Sequence, residues 1–172
     1  MNINEQQVLA LIEKGEDIYV EFKECKINVN RSVYETICAF LNRHGGTLLL
    51  GVQDSKHIQG IPADSVEKIK KALIANINNP QKLYPPAYLT IDEITIDEKL
   101  ILNVYVPESS QVHRCNGRIY DRNGDSDLDI TDYTHQVAQL YRRKSSSYTE
   151  NIVYPHIQLE DLSKDLIDRC RK

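Results

Sequence analysis

The chain has 172 residues, enough for one ordinary domain with a substantial core and a tight fit for two. Hydrophobic residues make up 41% and charged residues 27%, the balance of a soluble globular protein. A formal net charge of −4 argues against a protein that holds nucleic acid by bulk positive charge, so that role would need local basic patches.

In chain order, Asn4 or Asn2 caps a short helix that carries Val8, Leu9, Leu11 and Ile12 and stops at Lys14-Gly15. "DIYVEFKE" then alternates, with Ile18, Val20 and Phe22 on one face and Tyr19, Glu21 and Lys23 on the other, as in a half-buried strand. From Asn30 a second helix carries Val33, Ile37, Phe40 and Leu41 as one apolar stripe and ends at Gly45-Gly46. "TLLLGV" is an unbroken apolar run, which suits a central strand covered on both faces. "DSKHIQG" reads as a turn leading to a short segment, Ile58 to Ile61. Asp64 or Ser65 caps a third helix with Val66, Ile69, Leu73 and Ile77 inward, and Asn79-Pro80 ends it. "AYLTIDEITI" and "KLILNVYV" make a hairpin around Asp97-Glu98. "GRIYDR" is a further strand before an acidic loop. The last helix runs from about Thr131 to Lys144 with Tyr133, Val137, Leu140 and Tyr141 inward. This order predicts an α+β domain over residues 1–150, with a mixed sheet of about five to six strands packed with helices. Residues 151–172 read as a tail or the start of a following module.

Cys25, Cys38, Cys115 and Cys170 include no CxxC pair, which fits free thiols in a reducing compartment. The opening residues have neither a basic n-region nor an apolar h-region, and no stretch approaches a membrane span. The expected location is cytoplasmic, with no membrane partner.

Gly45 lies where a helix end favours positive φ, and Gly46 lets the chain re-enter the sheet. They do not form a phosphate loop, because no GxGxxG or GxxxxGK[ST] is present and the glycines close a helix instead of opening one. In "DRNGDSDLD" the acids Asp125, Asp127 and Asp129 alternate, but the glycine and terminal Glu of an EF-hand are out of register. The five histidines show no metal-ligand spacing, and no Ser or Cys nucleophile has a recognisable elbow.

Three segments together carry a family signal: "VEFKE" at 20–24, "ICAFLNRHGGTLLLGVQD" at 37–54 and "IQGI" at 58–61, preceded by Glu16 five residues before Glu21. This order resembles the Schlafen/AlbA-like family of DNA-binding domains, over about residues 8 to 150. Arg43-His44 replaces the small polar pair usual before the glycines, and Gln53 replaces a frequent acid. "GRIYDRNGDSD" and "YRRKSSSYTE" look like the stretches where that family places its nucleic-acid-facing loop. The resemblance implies a nucleic-acid-binding module of the kind found at the N-terminus of bacterial transcriptional regulators, ahead of an ATPase-like region and a winged helix. It also implies an alternative. In animal Schlafens three acids form a nuclease site acting on structured RNA, and the matching positions here are Glu16, Glu21 and Asp54.

Three converging carboxylates can hold Mg²⁺ or Mn²⁺ and activate water against a phosphodiester. Residues five apart on a regular strand point to opposite faces, so Glu16 must lie before the strand or across a bend to meet Glu21. The binding reading needs no cofactor and uses other residues. Arg118, Tyr120 and Arg122 alternate on "GRIYDR", so one face shows two cations flanking an aromatic. Arg142, Arg143, Lys144 and Ser145 add a basic helix end with a hydroxyl, and Lys23, Lys26, Arg31, Arg43 and His44 flank the opening motif. The expected partner is nucleic acid, DNA ahead of RNA. A homodimer is left open, and a protein-interaction domain is a third reading, supported by ten tyrosines and a net-acidic surface.

Overall fold

The computed structural model describes residues 3–145. The segment 146–172, with the expected tail or following module, lies outside the described residues. The elements are α1 (Glu5–Lys14), β1 (Val20–Lys23), α2 (Arg31–Asn42), β2 (Gly46–Leu50), α3 (Ala63–Ile77), β3 (Leu83–Tyr84), β4 (Thr90–Ile96), β5 (Lys99–Val106), β6 (Arg114–Cys115), β7 (Tyr120–Asn123), β8 (Ser126–Asp129) and α4 (Thr134–Ser145).

The fold is the expected mixed α+β, with the strands distributed over three sheets. A central sheet runs in the order β1-β2-β5-β4, parallel between β1 and β2 and antiparallel elsewhere. The ribbons β3-β6 and β7-β8 stand apart. The expected acidic loop is in fact strand β8, paired with β7 from Tyr120↔Asp129 to Asn123↔Ser126.

Alternation along the strands sorts the core into two layers. Val20, Phe22, Leu49, Ile94, Ile96 and Ile101 meet Val8 and Ile12 of α1 on one face. Leu48, Leu50, Leu102, Val104 and Val106 meet α2 and α3 on the other. β2 is covered on both sides, as its unbroken apolar run predicts. Asn4 caps α1 with a full capping box, its carboxamide accepting from Gln7 N and the Gln7 side chain accepting from Asn4 N, both at 2.9 Å. The β4-β5 turn holds Asp97 and Glu98 at φ 47° and 64°, the two left-handed residues of a tight hairpin.

α2 ends as its glycines require. Gly45 has φ 72°, and its N–H donates to Phe40 O at 2.9 Å. A methyl at Gly45 would lie 2.7 Å from Val106 O and Glu108 N, and one at Gly46 would lie 2.7 Å from the Phe40 ring. The pair is therefore fixed by close backbone and ring contact. α3 starts at Ala63 after Pro62, slightly before the expected Asp64 or Ser65 cap. In α4 only Leu140 of the four expected inward residues is buried; Tyr133 and Tyr141 are exposed, and Lys144 is buried in their stead. Among the described residues no helix is long and apolar enough to cross a membrane.

Candidate nucleic-acid interface

The three residues expected to form one basic-aromatic face do not share one. Arg118 is exposed and paired with Asp129. Tyr120 is buried, with its hydroxyl donating to Glu35 Oε1 at 3.0 Å. Arg122 points inward, its side chain fully enclosed. Nη2 of Arg122 donates to Glu21 Oε2 at 2.6 Å and to Asp17 O at 2.8 Å, while Nη1 donates to Asp127 Oδ1 at 2.9 Å. Its guanidinium lies 5.0 Å from the Phe40 ring centroid. Asp127 in turn accepts from Thr36 Oγ1 of α2 at 2.5 Å. The physical reason is the β7-β8 ribbon. It packs on α2 and turns alternate residues of β7 toward the sheet edge, where buried Glu21 requires a cation. Burial works against the Arg122 charge, and the facing Glu21 and Asp127 carry its pKa above the ordinary value nonetheless.

The three acids lie near one another without forming a metal site. β1 and β2 are adjacent and parallel, in the register Glu21↔Leu48 and Lys23↔Leu50, so Asp54 leaves β2 beside Lys23 and Glu24. Burial raises the Glu16 pKa, the hydrogen bond from Phe22 N at 2.8 Å opposes that, and the negative charges of Glu21 and Asp54 add to the rise. Glu21 is spent on Arg122 and on Lys23, and Glu16 on a backbone amide. Among the described residues no group of three or more His, Cys, Asp and Glu side chains is placed to hold a metal ion. The acids that a nuclease would need are thus not grouped as a three-carboxylate metal site in this structure.

What the fold does bring together is the C-terminal end of α2 and the last turns of α4. Arg43 Nη1 reaches Asp121 Oδ2 at 3.2 Å, and Arg143 Nη2 reaches the same oxygen at 3.3 Å. Arg143 also donates to Asn42 O at 3.0 Å. The two guanidiniums border a polar cleft of about 220 Å³ to which Asn123, Gln136 and Gln139 add hydrogen-bonding side chains. Beside Arg43, the exposed ring of His44 stands 6.1 Å from that of Tyr19, which is 50% exposed. Lys144 is not on this surface: its ammonium is buried, donating to Leu41 O at 3.2 Å, Arg43 O at 3.3 Å and Glu108 Oε1 at 3.1 Å. Burial pushes its pKa down, and Glu108 resists that shift. Arg142 is exposed on α4, and Ser145 donates its hydroxyl to Arg142 O. Lys23 is half-buried in its pair with Glu21.

A family model described as Schlafen, AlbA_2 matches residues 16–131. The chain belongs to the Schlafen AlbA_2 family. The matched span starts at Glu16 and runs through the β7-β8 ribbon, so in this AlbA_2 chain it contains Arg43, His44, Asp121 and Arg122, while Arg143 lies beyond it. The fold is shared with the DIP2311 protein of Corynebacterium diphtheriae, at 16% identity and a TM-score of 0.50, over 78% of this chain and 32% of that one. The chain thus spans about a third of that protein's length. A second match is the N-terminal domain of a Nitrosomonas europaea protein described as related to the ATP-dependent DNA helicase RecG. That likeness has 26% identity and a TM-score of 0.44, over 60% of this chain and 69% of that domain. No curated protein sequence matches this chain.

Sequence reasoning named Arg43, His44 and Arg143 but missed Tyr19, Asn123, Gln136 and Gln139. Tyr19 was legible as a strand residue on the face opposite Val20. The glutamines carry no signal until α4 is laid against the ribbon.

Proposed function

We propose that this AlbA_2 domain binds nucleic acid, DNA ahead of RNA, as the docking module of a transcriptional regulator. The carrying observation is that Arg43 and Arg143, a hundred residues apart in sequence, converge on the single carboxylate of Asp121. Both guanidinium side chains remain partly exposed, 29% for Arg43 and 31% for Arg143, so this surface presents cations to solvent on an acidic protein, as phosphate docking needs. The cleft's carboxamides can donate to phosphate or sugar oxygens, and the neighbouring Tyr19 and His44 rings offer faces on which a base can stack.

Fluorescence anisotropy of labelled duplex DNA and of a structured RNA, titrated with the full chain, tests this reading. With about three phosphates neutralised, affinity falls roughly 40-fold between 50 and 200 mM salt. Arg43→Gln with Arg143→Gln together flatten that slope by about two contacts and weaken binding at least tenfold. No retention of either nucleic acid at low salt, or an unchanged slope in the double variant, overturns the assignment. Adding Mg²⁺ or Mn²⁺ to the RNA titration tests the nuclease alternative, which requires cleavage that Glu21→Gln abolishes.

A further inference from the structure

At the other end of α2 lies a second, chemically different cavity, of about 620 Å³ and within the roughly 300–1,000 Å³ range of small-molecule sites. It opens between the first turns of α2, the C-terminal turns of α3 and the segments around Lys82 and Asn116. α2 is twelve residues long, so this cavity and Arg43 are separated by about 18 Å of helix.

The lining combines three kinds of group. Arg31 and Lys82 supply positive charge, and no carboxylate is among the lining residues. Arg31 is held by Glu35, with Nε to Oε1 at 2.9 Å, whereas the Lys82 ammonium makes no ion pair among the described residues. Asn28, Asn76 and Asn116 supply carboxamides, each able to donate and to accept. Asn76 Nδ2 donates to Ala72 O at 2.8 Å and to Tyr34 Oη at 3.0 Å, which leaves its Oδ1 aside as an acceptor. The half-buried Tyr34 ring, with Val29 and Ala72, supplies an apolar wall. The backbone bond from Asn116 N to Lys82 O, at 2.8 Å, fixes the two loops relative to each other.

We infer that this cavity binds a free mononucleotide. Arg31 and Lys82 take the phosphate, the Tyr34 wall takes the base face, and the carboxamides meet the base edge. The inference does not rest on the nucleic-acid reading of the α2–α4 cleft, since the two sites share no residue.

Isothermal titration calorimetry of the full chain with AMP, GMP, CMP and UMP, and separately with adenosine and inorganic phosphate, tests it. At least one mononucleotide binds saturably at one per chain, and adenosine and phosphate each bind at least about tenfold more weakly. Lys82→Glu and Asn76→Ala each weaken the best nucleotide at least about tenfold while leaving DNA anisotropy unchanged. The inference falls if no mononucleotide saturates, or if inorganic phosphate binds as tightly as the nucleotide. It also falls if Lys82→Glu has no effect, or if Arg43→Gln with Arg143→Gln removes nucleotide binding. Failure of nucleotide binding with DNA binding intact overturns this inference alone, and loss of DNA binding leaves it standing.

Discussion

Removing Arg122 tests whether the charges at the sheet edge are structural. Its side chain is wholly enclosed and satisfies Glu21, Asp127 and the carbonyl oxygen of Asp17 at 2.6, 2.9 and 2.8 Å. Arg122→Ala leaves buried Glu21, itself 5% exposed, facing Asp127 with its main counter-charge gone, and removes the guanidinium from the Phe40 ring. Breaking one side of such a buried pair costs about 3–5 kcal/mol. For a domain of this size that is a fall in Tm of roughly 6–20 °C. Urea denaturation followed by circular dichroism reads the loss directly. Arg122→Met combined with Glu21→Met recovers part of it, because the orphaned charge disappears with its partner. A loss below about 1 kcal/mol for Arg122→Ala, or a double variant as damaged as the sum of its singles, would refute the argument.

Three other outcomes follow from the same geometry. His113 is 3% exposed, with Nδ1 donating to Pro85 O at 2.8 Å and Nε2 bonded to Ser109 Oγ at 2.7 Å; burial holds its pKa below 6.5. The unfolded chain therefore takes up the proton first, and stability falls as pH drops below 6.5, by up to about 1.4 kcal/mol per pH unit. Urea titrations at stepped pH show this slope, and His113→Gln flattens it. Gly45→Ala combines left-handed strain of about 1–2 kcal/mol with backbone atoms at 2.7 Å, so it destabilises clearly more than Gly124→Ala, where φ is 64° and nothing lies within 4 Å. Equal losses in thermal melts would contradict that. Glu16→Gln keeps an acceptor for Phe22 N while removing a charge that burial, Glu21 and Asp54 disfavour, so it raises stability at neutral pH. The wild-type carboxyl is protonated in the fold at a pH where it is still ionised in the unfolded chain, so the gain shrinks as pH falls and is gone below 4.5.

The helices, the β4-β5 hairpin and the buried β2 were legible because each is written in a local period or turn. The site was legible only in part, for a physical reason. A charge at an alternate strand position carries the same letter whether it faces water or a buried partner. Arg122 reads as a surface cation on "GRIYDR" until the register Tyr120↔Asp129 and the packing of β7 on α2 turn it toward Glu21. Lys144 reads as the basic end of a helix, a position that favours cations on dipole grounds alone, until its neighbours prove to be the last carbonyls of a different helix. The AlbA_2 pattern, in contrast, was readable from three spaced segments, because glycines, an apolar run and an isolated acid leave few alternative packings.

Two interior cations do the positioning that the exposed ones depend on. Lys144 closes the end of α2 by donating to Leu41 O and Arg43 O, and it ties that end to Glu108 just beyond β5. A carbonyl at a helix terminus lacks an intrahelical partner, so α4 is fastened where α2 leaves its acceptors open. The adjacent Arg143 is thereby delivered to Asn42 O and to Asp121, which Arg43 already holds. Asp121 sits there because its neighbour Arg122 is pinned inside to Glu21 and Asp127, and strand alternation sends the next side chain the other way. The buried pair on β7 and the buried lysine on α4 therefore set the spacing of the two outer arginines. In this chain the acid on β1 that the Schlafen resemblance matched to a nuclease carboxylate holds the ribbon on which that surface is built.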